Sequence, residues 1–511
     1  MIKRILNKSS LKANIIANFI GNGWLGIISL VFVPIYLKYI GPEGYGLIGI
    51  FASLQAVLSL LDSGLSTTLN RELASLSIMP NAAAKMHNLV KTLGTVYWLV
   101  ALLAGTIALI LSPVLARYWV HPEHLSTSTI SYAFILLSLS LVFQFPSGFY
   151  SGGLLGLQKQ VMLNFIRIFF ATLRSAGAVM VLIYLSKSVL VFFGWTLCIT
   201  VLQAFTYKYA LWFSLPKSVD KAFFDKQVLK KIWRFAAGMT AIGLTSILLT
   251  QTDQIILSKI LSLEKFGYYV FAFTIGSVTY MIASPISQSY FPKFTILLAE
   301  GKIDDLKKLY HQGCQLVTLL VMPFALFLSL FSKEIIYIWT HNSTTVTNTW
   351  QITSVVSLAV SVHCLMFIPY ILCLSYSQTK IALYTNIIIL IVLIPSTIYA
   401  AIYFGGLGGA LCWLSINLIY LIINPLLIHR LFLKGEVFNW YWQDTFKPII
   451  GGMLILLLAK KILAYYSFGQ LQQIIFLSLT GILAFIATLF STPELRKFFI
   501  DMTLNKRQNE L

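Results

Sequence analysis

The chain has 511 residues, 58% of them hydrophobic and only 11% charged, and it carries a formal net charge of +20. Soluble domains hold about 25% charged residues, so this composition excludes a water-soluble fold. The charge does not point to nucleic acid either, because the lysines and arginines are scattered over many short segments between apolar runs.

An apolar run of about twenty residues spans a bilayer, and it must be helical because no backbone polar group can go unpaired in hydrocarbon. The runs predict an all-α integral membrane protein with about 14 transmembrane helices. In chain order the first six cover 14–37, 45–65, 88–112, 129–149, 161–185 and 189–213. Six more cover 232–259, 266–290, 310–331, 350–375, 381–403 and 408–431, and a last pair covers 446–466 and 471–489. The basic Met1–Lys12 segment precedes a run too long for a signal peptide, which is read as a retained first span. The five cysteines lie in or beside apolar runs without a CxxC pair and read as small core residues, with no metal site or disulfide.

Lysine and arginine collect in cytoplasmic loops. With the N-terminus inside, about 28 basic residues fall on the cytoplasmic side, about 8 fall outside, and Arg174 is left within a span. This alternation predicts that both termini are cytoplasmic. The longest inside segment, Lys208 to Arg234, divides the chain into an N-terminal six-helix lobe (1–215) and a C-terminal six-helix lobe (216–435). A further helix pair with a tail (436–511) follows. Lys38, Glu43 and Gly46 match Lys259, Glu264 and Gly267 in spacing, with Tyr45 and Phe266 in register. Six spans per repeat gives both lobes one orientation, hence a parallel pseudo-repeat with a central cleft. The outside loops, the longest being 113–128 and 332–349, leave no room for a soluble catalytic domain.

Several short motifs carry a resemblance. Pro34-Ile-Tyr-Leu followed by Gly41-Pro42-Glu43-Gly44-Tyr45-Gly46, and Asp62-Ser63-Gly64-Leu65 leading to Asn70-Arg71-Glu72, resemble the first two spans of polysaccharide flippases. Thr252-Asp253-Gln254-Ile255-Ile256-Leu257-Ser258, Leu263-Glu264-Lys265-Phe266-Gly267-Tyr268, Pro285 and Phe291-Pro292-Lys293 are similar to the same family's seventh and eighth spans. The family is the O-antigen and capsule flippase branch of the multidrug/oligosaccharidyl-lipid/polysaccharide exporter superfamily. The C-terminal pair resembles its fourteen-span subset. The resemblance implies a bacterial plasma (inner) membrane transporter that flips undecaprenyl-diphosphate-linked oligosaccharides to the outer leaflet. It also implies a glycan polymerase and a chain-length regulator as partners, and no cofactor beyond coupling to H+ or Na+.

A lipid diphosphate with a glycan needs cations, polar side chains and a wet cleft. Arg174, mid-span, is the sharpest candidate, since a charge at that depth usually faces a cavity. Arg167 lies seven residues earlier on nearly the same face, about 10 Å along the axis, and Asn164 roughly shares that face. The alternative reading pairs Arg174 with a buried carboxylate and lets Arg167 reach the inner interface. Asn18, Asn22, Gln55, Gln251 and Gln288 either bind glycan hydroxyls or join helices. Asp62 and Asp253 either bind a coupling ion or serve structure. Arg71 and Glu72 either gate the inner mouth or form an interfacial ion pair. Gly405-Gly406-Leu407-Gly408-Gly409 lacks the Lys-Ser/Thr of a phosphate loop, so the chain does not hydrolyse ATP. Two rivals are an ion-coupled drug exporter, which needs carboxylates in its cavity, and a membrane-embedded glycan polymerase or glycosyltransferase, which needs a large outside loop.

Overall fold

The computed structural model describes residues 11–77, 79–227, 229–230, 248, 250–376, 379–466 and 468–496, with side chains except at 11–17, 19, 58–65, 292 and 379–383. The helices are α1 Leu11–Val31, α2 Val33–Ser77, α3 Ala83–Trp119, α4 Thr127–Gly156, α5 Gln160–Tyr184 and α6 Val189–Ser214. After the helical stretch 250–260 come α7 Leu263–Gly276, α8 Thr279–Ala299, α9 Ile303–Leu330, α10 Ser332–Thr340 and α11 Ser343–Ser375. The chain ends in α12 Thr379–Phe432, α13 Val437–Tyr465 and α14 Gln470–Phe490. Among the described residues, nine helices are long and apolar enough to cross a membrane, or eleven if each bent pair counts as one span. The protein is thus a multi-pass, all-helical membrane protein. The expected seventh span, 232–259, lies mostly outside the described residues.

Two helices are too long to be single crossings. The 54 residues of α12 would extend about 80 Å at 1.5 Å per residue, against about 30 Å of hydrocarbon. Gly405, at φ 60 and ψ −141, breaks it into the two expected spans. Gly41, at φ 71 and ψ 175 and followed by Pro42, breaks the 45-residue α2 in the same way. A positive φ costs a side-chain-bearing residue the most, so glycine stands at both breaks.

Some expected loops are helical instead. The third span runs on to Trp119, the second continues past Leu65 to Ser77, and the 332–349 loop contains α10. Hydropathy ends a span where side chains turn polar, whereas a helix continues at the membrane surface because it satisfies its own backbone.

The chain packs as two units, 1–267 and 268–511. In the first, Leu69, Leu93, Tyr97, Phe149, Leu154 and Leu211 are buried to 3% exposure or less and join α2, α3, α4 and α6 in one core. Tyr97 stacks near Phe145 and Phe149, with ring centroids 4.9 and 4.5 Å away. Gly46 and Gly267, which match in sequence spacing, lie against each other. A Cβ on Gly46 would meet the Leu263 carbonyl at 2.7 Å and the Gly267 nitrogen at 3.3 Å. A Cβ on Gly267 would collide with the Pro42 carbonyl and meet the Gly46 nitrogen at 3.2 Å. The contact is reciprocal, and each glycine meets the residue four positions before its counterpart. Nearby, the buried Glu43 carboxylate accepts the backbone N–H groups of Glu123 (2.5 Å), His124 (2.9 Å) and Leu125 (2.7 Å).

In the second unit α9 is the central post, packed by α8, α11, α13 and α14. Lys460 on α13 pairs with Glu334 on α10 at 2.8 Å. All five cysteines are free; Cys314, Cys364 and Cys373 are buried as expected, whereas Cys198 is exposed.

Candidate functional site

Arg174 sits in the fifteenth position of the 25-residue α5, and its surroundings fix the backbone on which it stands. Trp195 of α6 lies over Gly177, where a Cβ would collide with its ring. From there its indole N–H reaches the carbonyls of Leu173 (3.3 Å) and Arg174 (3.2 Å). On the other side, Trp24 of α1 donates to the Thr172 hydroxyl at 2.9 Å, and the Tyr36 hydroxyl donates to the Ser175 carbonyl at 3.3 Å. One turn of α5 is thereby held by α1, α2 and α6.

The guanidinium Nη2 donates to Gln203 Oε1 at 2.6 Å, and the Gln203 amide reaches the Tyr207 hydroxyl at 3.4 Å. Arg174 Nε is buried and has no hydrogen-bond partner among the described residues. No ion pair involves Arg174 among the described residues, so the carboxylate partner of the alternative reading is not found there.

Arg174 and Arg167 line a cavity of about 270 Å³ in the first unit. Its walls follow helical stripes. Leu141, Gln144, Phe145, Gly148 and Ser151 give the i, i+3, i+4, i+7 and i+10 face of α4. Thr200, Gln203 and Tyr207 come from one face of α6, and Gln55 comes from α2. Gln55 and Gln144, both in its lining, hydrogen-bond directly to each other. The lining thus has two guanidinium groups, three carboxamides, hydroxyls, and no carboxylate among the described residues. An unpartnered buried donor beside fixed dipoles suits an anion, and the planar guanidinium binds a phosphate through two parallel hydrogen bonds.

The other expected residues are distributed differently. Asn164 donates to Asn18 Oδ1 (2.6 Å), and Asn18 donates to Gln160 Oε1 (2.7 Å). These bonds join α1 to α5 and do not line the cavity. Asn22 is exposed on α1, and Gln251 is partly buried on the 250–260 helix. Gln288, in the second unit, is exposed and donates to Ser284 Oγ at 3.1 Å. Asp253 is buried beside Gln254, which accepts from Ser53 Oγ at 3.0 Å. Asp62 falls among the residues 58–65, outside the described side chains. Arg71 and Glu72 form an exposed ion pair at 2.8 Å. Sequence reasoning missed Gln144, Gln203 and Tyr207. Their signal was the three- and four-residue spacing of polar positions within otherwise apolar helices.

Comparisons with known proteins bear on the fold and the family. A protein of Shigella flexneri named "Putative O-antigen transporter" is 20% identical over 425 residues, spanning 83% of this chain and 98% of that protein. The structure of the lipid II flippase MurJ in an inward closed conformation superposes with a TM-score of 0.69 at 13% identity, covering 96% of this chain and 99% of that one. An inward-facing multidrug resistance MATE family transporter of the MOP superfamily gives 0.64 at 13% identity, covering 80% and 96%. The chain therefore has the fold of MOP superfamily transporters. Residues 38–343, more than half of the chain, match the family model described as "Polysaccharide biosynthesis protein", and the chain belongs to that family.

Proposed function

We propose that this protein flips a lipid-linked oligosaccharide, carried on a diphosphate such as undecaprenyl diphosphate, from the cytoplasmic to the outer leaflet of a bacterial plasma membrane. The observation that carries this reading is the Arg174–Arg167 cavity, cationic, amide-lined and without a carboxylate among its described lining residues. A cationic drug would be repelled there, which disfavours the drug-exporter reading. In this role Arg174 holds the diphosphate, Arg167 receives it nearer one end of α5, and the Gln55, Gln144 and Gln203 amides face glycan hydroxyls. The family description and the Shigella relative support a place in surface polysaccharide assembly, with a glycan polymerase and a chain-length regulator downstream.

Ion coupling through Asp253 or Asp62 belongs to the same proposal, supported by the burial of Asp253. The test is genetic. Deleting the gene in its host should leave a lipid-linked glycan on the inner leaflet, restored to the outer leaflet by the wild-type gene. Unchanged glycan distribution would remove the reading.

A further inference from the structure

The second unit contains a buried polar cluster that the transport reading does not use. His311 on α9 places Nδ1 at 2.5 Å from Asp444 Oδ2 and Nε2 at 3.3 Å from Glu436 Oε2. Asp444, at the start of α13, is 1% exposed, and its other oxygen accepts from Gln315 Nε2 at 2.9 Å. Gln315 Oε1 in turn accepts the backbone N–H groups of Glu494 (3.0 Å) and Leu495 (3.4 Å), just after α14. One network thus ties α9 to the start of α13 and to the segment that follows α14.

We propose that His311 is a proton-binding site whose imidazolium, clasped between Asp444 and Glu436, locks the helix pair α13–α14 onto α9. A neutral imidazole has one N–H donor and one acceptor lone pair. Both carboxylates accept only, so a neutral ring donating to Asp444 would turn its lone pair toward Glu436. The doubly protonated ring donates to Asp444 and places a positive Nε2–H, which makes no hydrogen bond among the described residues, 3.3 Å from Glu436. It also balances charge: His311 and Lys307, which lies 3.6 Å from Glu436, oppose Glu436 and Asp444. Without that proton, Asp444 is a carboxylate buried beside a neutral ring, and burying an uncompensated charge is strongly unfavourable.

The other titratable groups facing the site leave this role to His311. On α9 they are Tyr310 and Cys314, both buried; Glu494 approaches from beyond α14. On α12, His429 has Nδ1 at 2.7 Å from the Pro425 carbonyl and Nε2 at 3.1 Å from the Tyr310 hydroxyl. That pattern is complete for a neutral ring. Glu436 lies between spans; partial burial opposes its charge, yet Asn439, His311 and Lys307 together hold its carboxyl below the ordinary range. Further along α13, Lys460 pairs with Glu334 of α10 at 2.8 Å, a contact that includes no histidine. The two contacts hold α13 at two places along its length, and only the one at Asp444 includes an imidazole.

Linkage fixes the sign. The lock is present where His311 is protonated and is lost as pH rises through its titration. The test uses the full-length protein in detergent, with the thermal midpoint followed from about pH 6 to about pH 8.5, a range that brackets ordinary imidazole titration. Wild type should lose several degrees across the range. His311→Gln, which can donate to Asp444 but binds no proton, should lose most of that slope. A flat wild-type profile, or an equal slope in His311→Gln, overturns the proposal. Should His311→Gln fail to accumulate, hydrogen exchange of the wild type decides. After correction for intrinsic amide rates, exchange over 437–446 should rise with pH while exchange over 456–465 stays constant. Equal behaviour of the two segments overturns it.

Discussion

At Arg174 a charge stands mid-helix with a carboxamide for its partner, so its positive charge is oriented but not neutralised. Gln203 accepts one N–H, and the buried Nε is left without a partner among the described residues. Charge-assisted hydrogen bonds are worth about 1.5–3 kcal/mol each, so Arg174→Ala should reduce glycan export by roughly tenfold to a hundredfold. Protein level should stay near normal, because no buried carboxylate among the described residues is orphaned by the change. Arg174→Lys should retain part of the activity, keeping the charge without the bidentate geometry. Low abundance of Arg174→Ala would point to a structural role instead. Arg174 and Arg167 were legible in the sequence from depth and the seven-residue spacing. Gln144 and Gln203 were not, because a lone glutamine in an apolar helix reads equally as a helix–helix hydrogen bond. Asn18 and Asn164 do make such a bond. The rotation of each helix decides between the two uses, and it depends on neighbours remote in sequence.

Among the elements, the order of the described spans could be read from hydropathy, since a crossing needs about twenty apolar residues. The breaks at Gly41 and Gly405 leave little hydropathic mark, and neither do the surface extensions of α2 and α3. The spacing match was visible in a few residues, but nothing in it hinted that the matched glycines touch. Gly46→Ala and Gly267→Ala should each destabilise the protein by about 1–3 kcal/mol, the usual cost of overpacking, read as a lowered thermal midpoint. Gly23, with no neighbour within 4 Å of a built Cβ, should accept alanine with little change. Equal midpoints for all three variants would mean that the glycine crossing is not tight. Glu43→Gln tests the neighbouring turn. A carboxamide offers one acceptor oxygen where the carboxylate offers two, so at least one of the three backbone N–H groups loses its partner. The expected loss is about 1–3 kcal/mol, with faster proteolysis between 119 and 127. A cleavage rate equal to wild type would count against the capping role.

For the molecule as a whole, the distribution of basic residues implies a sidedness. Single cysteines placed between 113 and 128 or between 332 and 349 of a cysteine-free variant should react in intact cells with a membrane-impermeant thiol reagent. Cysteines between 217 and 226 should react only after lysis, and the reverse pattern would invert the orientation. The central claim is that the cationic cavity carries a lipid-linked diphosphate across the bilayer. Its most direct test reconstitutes the purified protein in liposomes with a diphosphate-linked lipid oligosaccharide from the host, initially confined to one leaflet. The measurement is the rate at which the glycan becomes accessible to a lectin on the opposite side. The account predicts translocation by wild type, strong loss in Arg174→Ala and partial recovery in Arg174→Lys. Translocation by well-folded Arg174→Ala at the wild-type rate would contradict it.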